Sequence, residues 1–335
     1  TDLAERAAGW YQEDIEAFGI GMPDRMPKVT ETMSEIIDFV TALIDAGTAY
    51  EAGGDVYFRV SEFEDYGVLS RQYGALQETE EPNSLKENPL DFALWKATKD
   101  SEDASWDSPW GPGRPGWHIE CSAMARRELG DAFAIHGGGL DLCFPHHENE
   151  LAQSESLGLG FAKVWAHNGM LEFTGEKMSK SIGNLETIED AHNNWGRSTL
   201  LMLFVSVHWR RSMDYSETTL KQAASRLRSL RRALTQTPEA HDESQWAEFA
   251  ACLDDNFDTA KALVVLHRWA DTGQVELLRR GLELFGLLDT DGADDAASEI
   301  PEDIHAMAVS RSAAKAERDF ARADQLRDEL LDLGW

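Results

Sequence analysis

Cysteines and basic residues are scarce in this sequence. Its 335 residues hold 31 lysines and arginines against 61 acidic residues, which gives a formal net charge of −30. A field of this sign repels nucleic acid in general. The three cysteines, Cys121, Cys143 and Cys252, are too few and too scattered for a disulfide framework. A reducing, cytoplasmic location is therefore predicted.

Long apolar runs are also missing. A membrane-spanning helix needs about 20 consecutive apolar residues, and charge interrupts every apolar stretch well before that length. No membrane partner is expected. With 42% hydrophobic residues, the chain can still form a packed core. The acidic excess has two interpretations, a protein adapted to a cytoplasm of high salt concentration or a merely acidic protein, and the composition leaves both open.

The periodicity of apolar residues predicts an α/β region followed by an all-helical region. Residues 117–190 alternate short apolar strands with helices, as in a βαβ unit. Residues 198–234 and 244–335 have the three- and four-residue spacing of amphipathic helices. An acidic stretch at 289–295 is typical of a linker.

The first 116 residues contain fewer regular patterns. Residues 1–20 resemble the end of a helix, and apolar spacing predicts another helix over 28–46 with Gly47 at its end. Alternation over 55–60 predicts a strand. Residues 61–116 are expected to be rich in loops.

Residues 176–184 read EKMSKSIGN and form the strongest local motif. Lys177 and Lys180 supply compact positive charges, and the two serines add hydroxyl donors, a combination suited to polyphosphate. Such charges also stabilise a pyrophosphate leaving group. An isolated Lys-x-x-Lys pair is more often an exposed loop, but the five-residue string is far more specific.

Residues 135–141 contain three consecutive glycines, Gly137, Gly138 and Gly139, between His136 and Asp141. Glycines let a backbone approach a ligand closely, and the acidic residue could bind a hydroxyl or an amine. A glycine run by itself is more often a turn.

A possible metal site follows at residues 145–150, which read PHHENE. If a helix begins after Pro145, His146 and Glu150 lie four residues apart on one face. Imidazole and carboxylate are half of a zinc site, and Cys121 offers a third ligand. A pair with this spacing is more often a surface pair, so the spacing alone leaves the metal open.

The only dense basic stretch is residues 226–232. Its arginines could hold a phosphate backbone, and the equally weighted alternative is a solvated helix paired with acidic neighbours. The candidate residues are Arg226, Arg228, Arg231 and Arg232.

Taken in order, these motifs resemble cysteinyl-tRNA synthetase, a class I aminoacyl-tRNA synthetase. The resemblance covers nearly the whole chain and is carried by WHIEC at 117–121, HGGG at 136–139, PHHENE at 145–150 and KMSKS at 177–181, with further matches at 66–72 and 254–259.

The resemblance implies a reaction and a metal. Such enzymes condense L-cysteine with magnesium-bound ATP to cysteinyl-adenylate and pyrophosphate, then transfer the cysteinyl group to tRNA(Cys). The family binds one zinc through two cysteines, one histidine and one glutamate, and Cys121, His146 and Glu150 match three of these positions. Zinc takes the substrate thiolate directly, which favours cysteine over serine.

Further roles follow from the same resemblance. Lys177 and Lys180 would hold the triphosphate, with Lys180 contacting ATP. Trp117 would pack near the bound amino acid. The adenylate pocket would be lined by His136, Gly137, Gly138, Gly139 and Asp141.

The resemblance also implies a domain order. A Rossmann-type catalytic domain would span 1–195, with an inserted region at about 25–115. A stem-contact region with the basic helix would span 196–240, and a helical anticodon-binding domain would span 241–335. The family is often monomeric.

The departures from the family pattern concern its ATP motif and the first of its two zinc cysteines, which the family carries in an N-terminal segment expected to be missing here. No His-x-Gly-His string occurs in these residues, and the sequence begins without Met. We expect a fragment of a longer enzyme that does not form cysteinyl-adenylate alone. The alternatives are a shortened, non-catalytic tRNA-binding paralogue, a cysteine:amino-sugar ligase of the same superfamily, and a zinc hydrolase, which the absence of His-Glu-x-x-His disfavours.

Overall fold

A computed structural model describes most of the chain in two compact units. The described residues are 2–71, 84–99, 104–173, 176–177, 186–238, 242–288, 306–308, 310–311, 314 and 319–332. The first unit comprises Thr1–Leu185, Phe204–Thr219 and Ser244–Val265. The second unit comprises Glu186–Leu203, Leu220–Glu243 and Leu266–Trp335.

The first unit begins with two helices, α1 (Asp2–Ala17) and α2 (Met33–Asp45). The helix predicted over 28–46 starts later than expected. Val29–Glu31 form a 3₁₀ turn, and Thr32 has a φ of −123° that separates the two segments. The Thr32 hydroxyl donates to Lys28 O at 2.9 Å, a local bond that competes with a continuous helix.

A four-stranded antiparallel sheet packs against α2. Its strands, in spatial order, are β1 (Ala49–Ala52), β2 (Asp55–Phe58), β3 (Phe92–Ala97) and β4 (Gly113–Pro115). The strand predicted over 55–60 is confirmed as β2. Strands β3 and β4 lie in the stretch expected to be loop-rich; β3 is buried on both faces at Phe92–Trp95, so it lacks the alternation that identifies a strand.

The predicted βαβ unit is present. Strand β5 (Phe133–Gly139) pairs in parallel with β6 (Ala162–Asn168), and α4 (Glu148–Glu155) lies between them in the chain. Before this unit runs α3 (Trp117–Leu129). Because Ile119, Ala123 and Ala152 share one core with α2 and the four-stranded sheet, α3 and α4 are fixed against the same scaffold.

A small third sheet completes the strands of the first unit. Strand β7 (Leu171–Phe173) pairs antiparallel with β8 (Glu176–Lys177) and in parallel with β9 (Met213–Asp214). Gly169 lies in the short connection between β6 and β7. A Cβ added at Gly169 would overlap the backbone of Arg211, which explains the glycine between them.

The described part of the C-terminal half is mainly helical, as predicted, and the linker predicted at 289–295 lies outside the described residues. Thr187 caps the first of these helices, since its Oγ1 accepts a bond from Asp190 N at 3.0 Å. The helices are α5 (Ile188–Trp195), α6 (Arg197–Val205), α7 (Glu217–Ala233), α8 (Trp246–Asp254), α9 (Thr259–Asp271), α10 (Val275–Leu284) and α11 (Phe320–Asp332). Throughout the described ranges, every helix is too short or too polar to cross a membrane.

Candidate active site

The candidate site lies where α3 and the start of α4 meet. Cys121 occupies the second turn of α3, and His146 and Glu150 flank the first turn of α4. The predicted helix start after Pro145 is irregular. Phe144 is extended, the Phe144–Pro145 peptide is cis, and Cys143–His147 form a π turn that leads into α4.

Three ligand-type side chains converge here, and we call Cys121, His146 and Glu150 the metal triad. One donor atom from each lies within 4.8 Å of the other two. The His146 Nε2 to Glu150 Oε1 distance is 3.6 Å, so the predicted four-residue spacing does place both groups on one face. Both side chains are buried.

Burial favours the neutral forms of Cys121 and His146. Burial and, after it, the nearby carboxylate of Glu150 together raise the pKa of the Cys121 thiol to about 12. Burial also lowers the pKa of His146. The Glu150 carboxylate is fully buried, yet among the described residues its Oε1 has no hydrogen-bond partner.

An unpartnered buried carboxylate oxygen is costly. A thiol, an imidazole nitrogen and this oxygen, close together and each able to coordinate, are a donor set that suits a divalent ion such as zinc.

Other aromatic and histidine rings line the triad. The Trp117 ring lies 4.2 Å from the His146 ring, centroid to centroid, while 58% of Trp117 remains exposed. His118 Nδ1 lies 2.8 Å from His146 Nδ1. This contact leaves Nε2 of His146 directed toward Glu150, and it fixes the ring as outer partners of metal ligands do.

The glycine-rich motif forms the carboxyl end of β5. His136 Nε2 lies 2.9 Å from Glu150 Oε2, so this motif meets the metal triad directly. A Cβ added at Gly138 would lie 2.9 Å from His147 Cε1, and one at Gly139 would overlap the Asp141 carboxylate. Only glycine fits this close packing. Ligands bind at the carboxyl ends of parallel strands in open α/β sheets. The adenylate pocket expected at this strand end stays a prediction.

A buried glutamate joins the helix of the metal triad to a loop from the start of the unit. Glu148 accepts bonds from Gly67 N at 2.9 Å and Ser70 N at 2.8 Å, with a longer one from Leu69 N at 3.4 Å. The Tyr66 hydroxyl donates to Asn149 Oδ1 beside it.

Sequence reasoning missed Glu148, His118, His147 and His167. His118, His147 and Glu148 lie inside quoted motifs, whereas His167 lies on β6 outside them. Nothing in their spacing shows which distant groups they contact.

The lysine motif lies largely outside the described residues. Lys177 belongs to β8, of which only the backbone is described, and Lys180 falls in the undescribed range 178–185.

The first glycine of the glycine-rich motif, Gly137, pairs with Ala166 in the parallel β5–β6 pair.

The four predicted arginines lie on α7, but in different surroundings. Arg226, Arg228 and Arg232 are exposed. Arg231 is half-buried and donates to Leu287 O at 3.0 Å and to Ser198 Oγ at 2.9 Å, within the second unit. Its guanidinium therefore has a structural role that the sequence did not indicate.

Comparison with known proteins decides the family. Residues 1–225 match the family model described as "tRNA synthetases class I (C) catalytic domain". The Cysteine--tRNA ligase of Geobacillus thermodenitrificans (strain NG80-2) is 44% identical over 361 residues, covering 98% of this chain and 77% of that protein. That of Streptococcus pneumoniae serotype 4 is 40% identical over 353 residues, covering 99% and 77%. The chain belongs to the cysteinyl-tRNA synthetase family.

The fold agrees with membership of this class I synthetase family. A Mycobacterium tuberculosis methionyl-tRNA synthetase in complex with methionyl-adenylate superposes with a TM-score of 0.58 at 16% identity, over 88% of this chain and 74% of that one. The free form of that synthetase gives 0.54 at 12% identity. At such identities the likeness concerns the fold alone, and it confirms the predicted α/β catalytic region with a helical continuation.

The prediction of a ligase of the cysteinyl-tRNA synthetase family is confirmed. The curated relatives match over the helical C-terminal half as well as the catalytic region, which disfavours a cysteine:amino-sugar ligase without that half. The predicted division at 195 and 240 stays a prediction.

Proposed function

We propose that this sequence provides the cysteine-binding and ATP-binding machinery of a cysteine--tRNA ligase. In the reaction, a carboxylate oxygen of L-cysteine attacks the α-phosphorus of ATP, the bond from that phosphorus to the β-phosphate oxygen breaks, and pyrophosphate leaves. The cysteinyl group then passes to the 3′-terminal adenosine of tRNA(Cys). The observation that carries the proposal is the convergence of Cys121, His146 and Glu150 beside the HGGG strand end.

We infer that the metal triad holds zinc. The unpartnered Glu150 Oε1 and the mixed sulfur, nitrogen and oxygen donors support this assignment. A zinc ion bound there would coordinate a thiolate far better than a hydroxyl, and so supply the preference for cysteine over serine. His118 would act through His146, by holding the imidazole so that Nε2 points toward Glu150.

Trp117 is proposed to contact the amino acid. It is the first residue of α3, its ring packs on His146, and more than half of its surface is open to a ligand. A large ring at the edge of the metal triad can cover the apolar Cβ of the substrate and limit the space for longer side chains.

ATP is proposed to bind along the carboxyl end of β5. His136 and the three glycines would line the adenylate, because the missing side chains let the backbone approach it. Asp141 would bind a hydroxyl or the amino group. Lys177 and Lys180, with magnesium, would neutralise the triphosphate and stabilise the departing pyrophosphate.

The exposed arginines of α7 are proposed to contact the tRNA. A protein with a net charge of −30 needs a local cationic surface to hold a phosphate backbone. Arg226, Arg228 and Arg232 can provide it, since they face solvent. We also propose that the enzyme is cytoplasmic and monomeric.

The test reads binding rather than turnover, because these residues contain no His-x-Gly-His string. The purified chain would be loaded with zinc and titrated calorimetrically with L-cysteine and L-serine. Cysteine should bind at least about 100-fold more tightly than serine, since the site is built for a bonded group. Cys121→Ser should reduce both zinc content and cysteine affinity.

Cys252→Ser is the matched control, because this half-buried cysteine lies on α8 and is not grouped with the metal triad, so both quantities should stay unchanged. Equal affinity for cysteine and serine in the zinc-loaded chain would contradict the proposed function.

A further inference from the structure

Two loops of the first unit carry aromatic and basic side chains that the proposed function does not use. The first loop, residues 208–211, reads HWRR and lies between α6 and β9. The second, residues 255–258, joins α8 to α9. The loops meet where Trp209 Nε1 donates to Asn256 O at 2.8 Å, and Asn256 Nδ2 lies 3.5 Å from His208 Nε2. The name aromatic–basic ledge is used below for Trp209, Arg210, Arg211 and Phe257.

The first loop is fixed at the carboxyl end of β6. Gly169 follows that strand, and its backbone N–H donates to Trp209 O at 2.8 Å. A Cβ added at Gly169 would overlap the backbone of Arg211, so the two segments are in close contact. At the same strand end, Asn168 pairs with Gly139, the last glycine of the glycine-rich motif. The aromatic–basic ledge therefore begins beside the strand end at which the adenylate is proposed to bind.

The ring of Phe257 is presented to solvent by a constrained backbone. Phe257 is 69% exposed, and its φ of 53° lies in the left-handed region, as does the φ of 59° at Asn256. Asparagine tolerates this conformation, but a bulky residue there is strained. Such strain persists only where the surrounding structure holds it, and it is typical of segments that contact ligands. The bond from Trp209 to Asn256 O holds this turn, so an aromatic face is kept available for stacking.

The charges of the two loops favour a polyanion on the side of the first loop. Arg210 and Arg211 are exposed, and the Cζ of Arg210 lies 5.7 Å from the centroid of the neighbouring tryptophan ring. In the second loop, Lys261 Nζ lies 3.0 Å from a carboxylate oxygen of Asp255 and of Asp258, which reduces their repulsion of phosphate. Proteins hold single-stranded nucleic acid with this combination, in which rings stack on bases and basic groups bind phosphates.

We propose that the aromatic–basic ledge binds the unpaired 3′ end of the tRNA, with a base stacked on Phe257 and phosphates beside Arg210 and Arg211. This inference rests on the proposed function, because tRNA is the nucleic acid that the proposed reaction uses. The cysteinyl group passes to the 3′-terminal adenosine. The unpaired nucleotides before that adenosine must therefore cross the edge of the site where the adenylate forms, and the ledge lies at that edge.

The test compares two RNAs on the full chain: intact tRNA(Cys) and the same tRNA without its unpaired 3′ nucleotides. In a filter assay at fixed salt, the wild type should bind the intact tRNA more tightly. Phe257→Ala should weaken the intact tRNA by about 5- to 150-fold, the size of one base–aromatic stack, and leave the shortened tRNA unchanged. Phe257→Tyr keeps the ring and should bind like the wild type, whereas Phe257→Leu should bind like Phe257→Ala.

A salt series tests the phosphate contacts. Arg211→Gln should reduce the slope of log affinity against log salt by about 0.7 for the intact tRNA, the value of one phosphate contact on a single strand. The slope for the shortened tRNA should not change. Trp10→Ala is the matched control, because Trp10 on α1 is also an exposed ring, with Arg6 Cζ 6.0 Å from its centroid. It should bind both RNAs like the wild type.

The outcomes separate this inference from the proposed function. Equal affinity of the wild type for the two RNAs, or binding of neither, overturns it. Equal weakening of both RNAs by Phe257→Ala also overturns it, since the ring would then contact the paired body of the tRNA. If Phe257→Ala fails to fold by circular dichroism, Arg211→Gln decides. The preference of the zinc-loaded chain for cysteine over serine tests the proposed function separately, and these variants should keep that preference.

Discussion

Removing the carboxylate of Glu148 should strongly destabilise the first unit. Its side chain is fully buried and satisfies the backbone N–H groups of Gly67 and Ser70 at 2.9 and 2.8 Å. A buried donor left without a partner costs about 1–3 kcal/mol. Two such donors give a loss of about 2–6 kcal/mol in the free energy of unfolding for Glu148→Ala.

Glu148→Gln tests the same contacts more gently. The amide keeps one acceptor oxygen, which can still serve Gly67 N, but its NH₂ group cannot accept from Ser70 N. One lost bond predicts about 1–3 kcal/mol, half the effect of alanine. Stability should therefore increase from Glu148→Ala to Glu148→Gln to the wild type, because they keep none, one and both of the oxygen contacts.

Urea denaturation and amide exchange together provide the measurement. The Ser70 amide should exchange faster in both variants, and the Gly67 amide should do so mainly in Glu148→Ala. Glu155→Ala is the matched control, since Glu155 lies on the same helix with an exposed side chain and should change stability by less than about 0.5 kcal/mol. If Glu148→Ala unfolds at the wild-type urea concentration with unchanged Ser70 protection, the reasoning fails.

Further changes test other parts of the chain. Gly116→Ala should lower the free energy of unfolding by about 1–3 kcal/mol, because a Cβ would overlap the Ala93 carbonyl oxygen and lie 3.0 Å from the carbonyl carbon. Gly9→Ala is the control, since Gly9 lies in open space on α1, and it should be neutral or stabilising in the same urea assay. Arg231→Ala should lower the melting temperature, because it loses two hydrogen bonds. Arg228→Ala should leave the melting temperature unchanged and weaken tRNA(Cys) binding in a filter assay. Equal melting temperatures for the two variants would contradict this. A chelator should lower the melting temperature of the zinc-loaded chain, since zinc at 100 times its Kd increases the free energy of unfolding by about 2.7 kcal/mol. An unchanged thermal unfolding curve would argue against zinc binding by the metal triad.

The proposed zinc site shows where sequence reasoning succeeds and where it ends. His146 and Glu150 could be paired from their spacing alone, because residues four apart share a helix face. The choice of Cys121 as third ligand was only a candidate from residue type. What makes it a neighbour is the packing of Ile119 and Ala152 in one core, which depends on the whole unit.

The sequence by itself determined the class of protein: its motifs, their order and the apolar periodicity identified a class I synthetase with a helical C-terminal half. The tertiary structure decided which groups meet. It brought His136 to Glu150, gave Glu148 two backbone donors from a distant loop, and engaged Arg231 inside the second unit. Periodicity reports only neighbours along one helix or strand, whereas these contacts join segments far apart in the chain, and burial makes each of them costly to break.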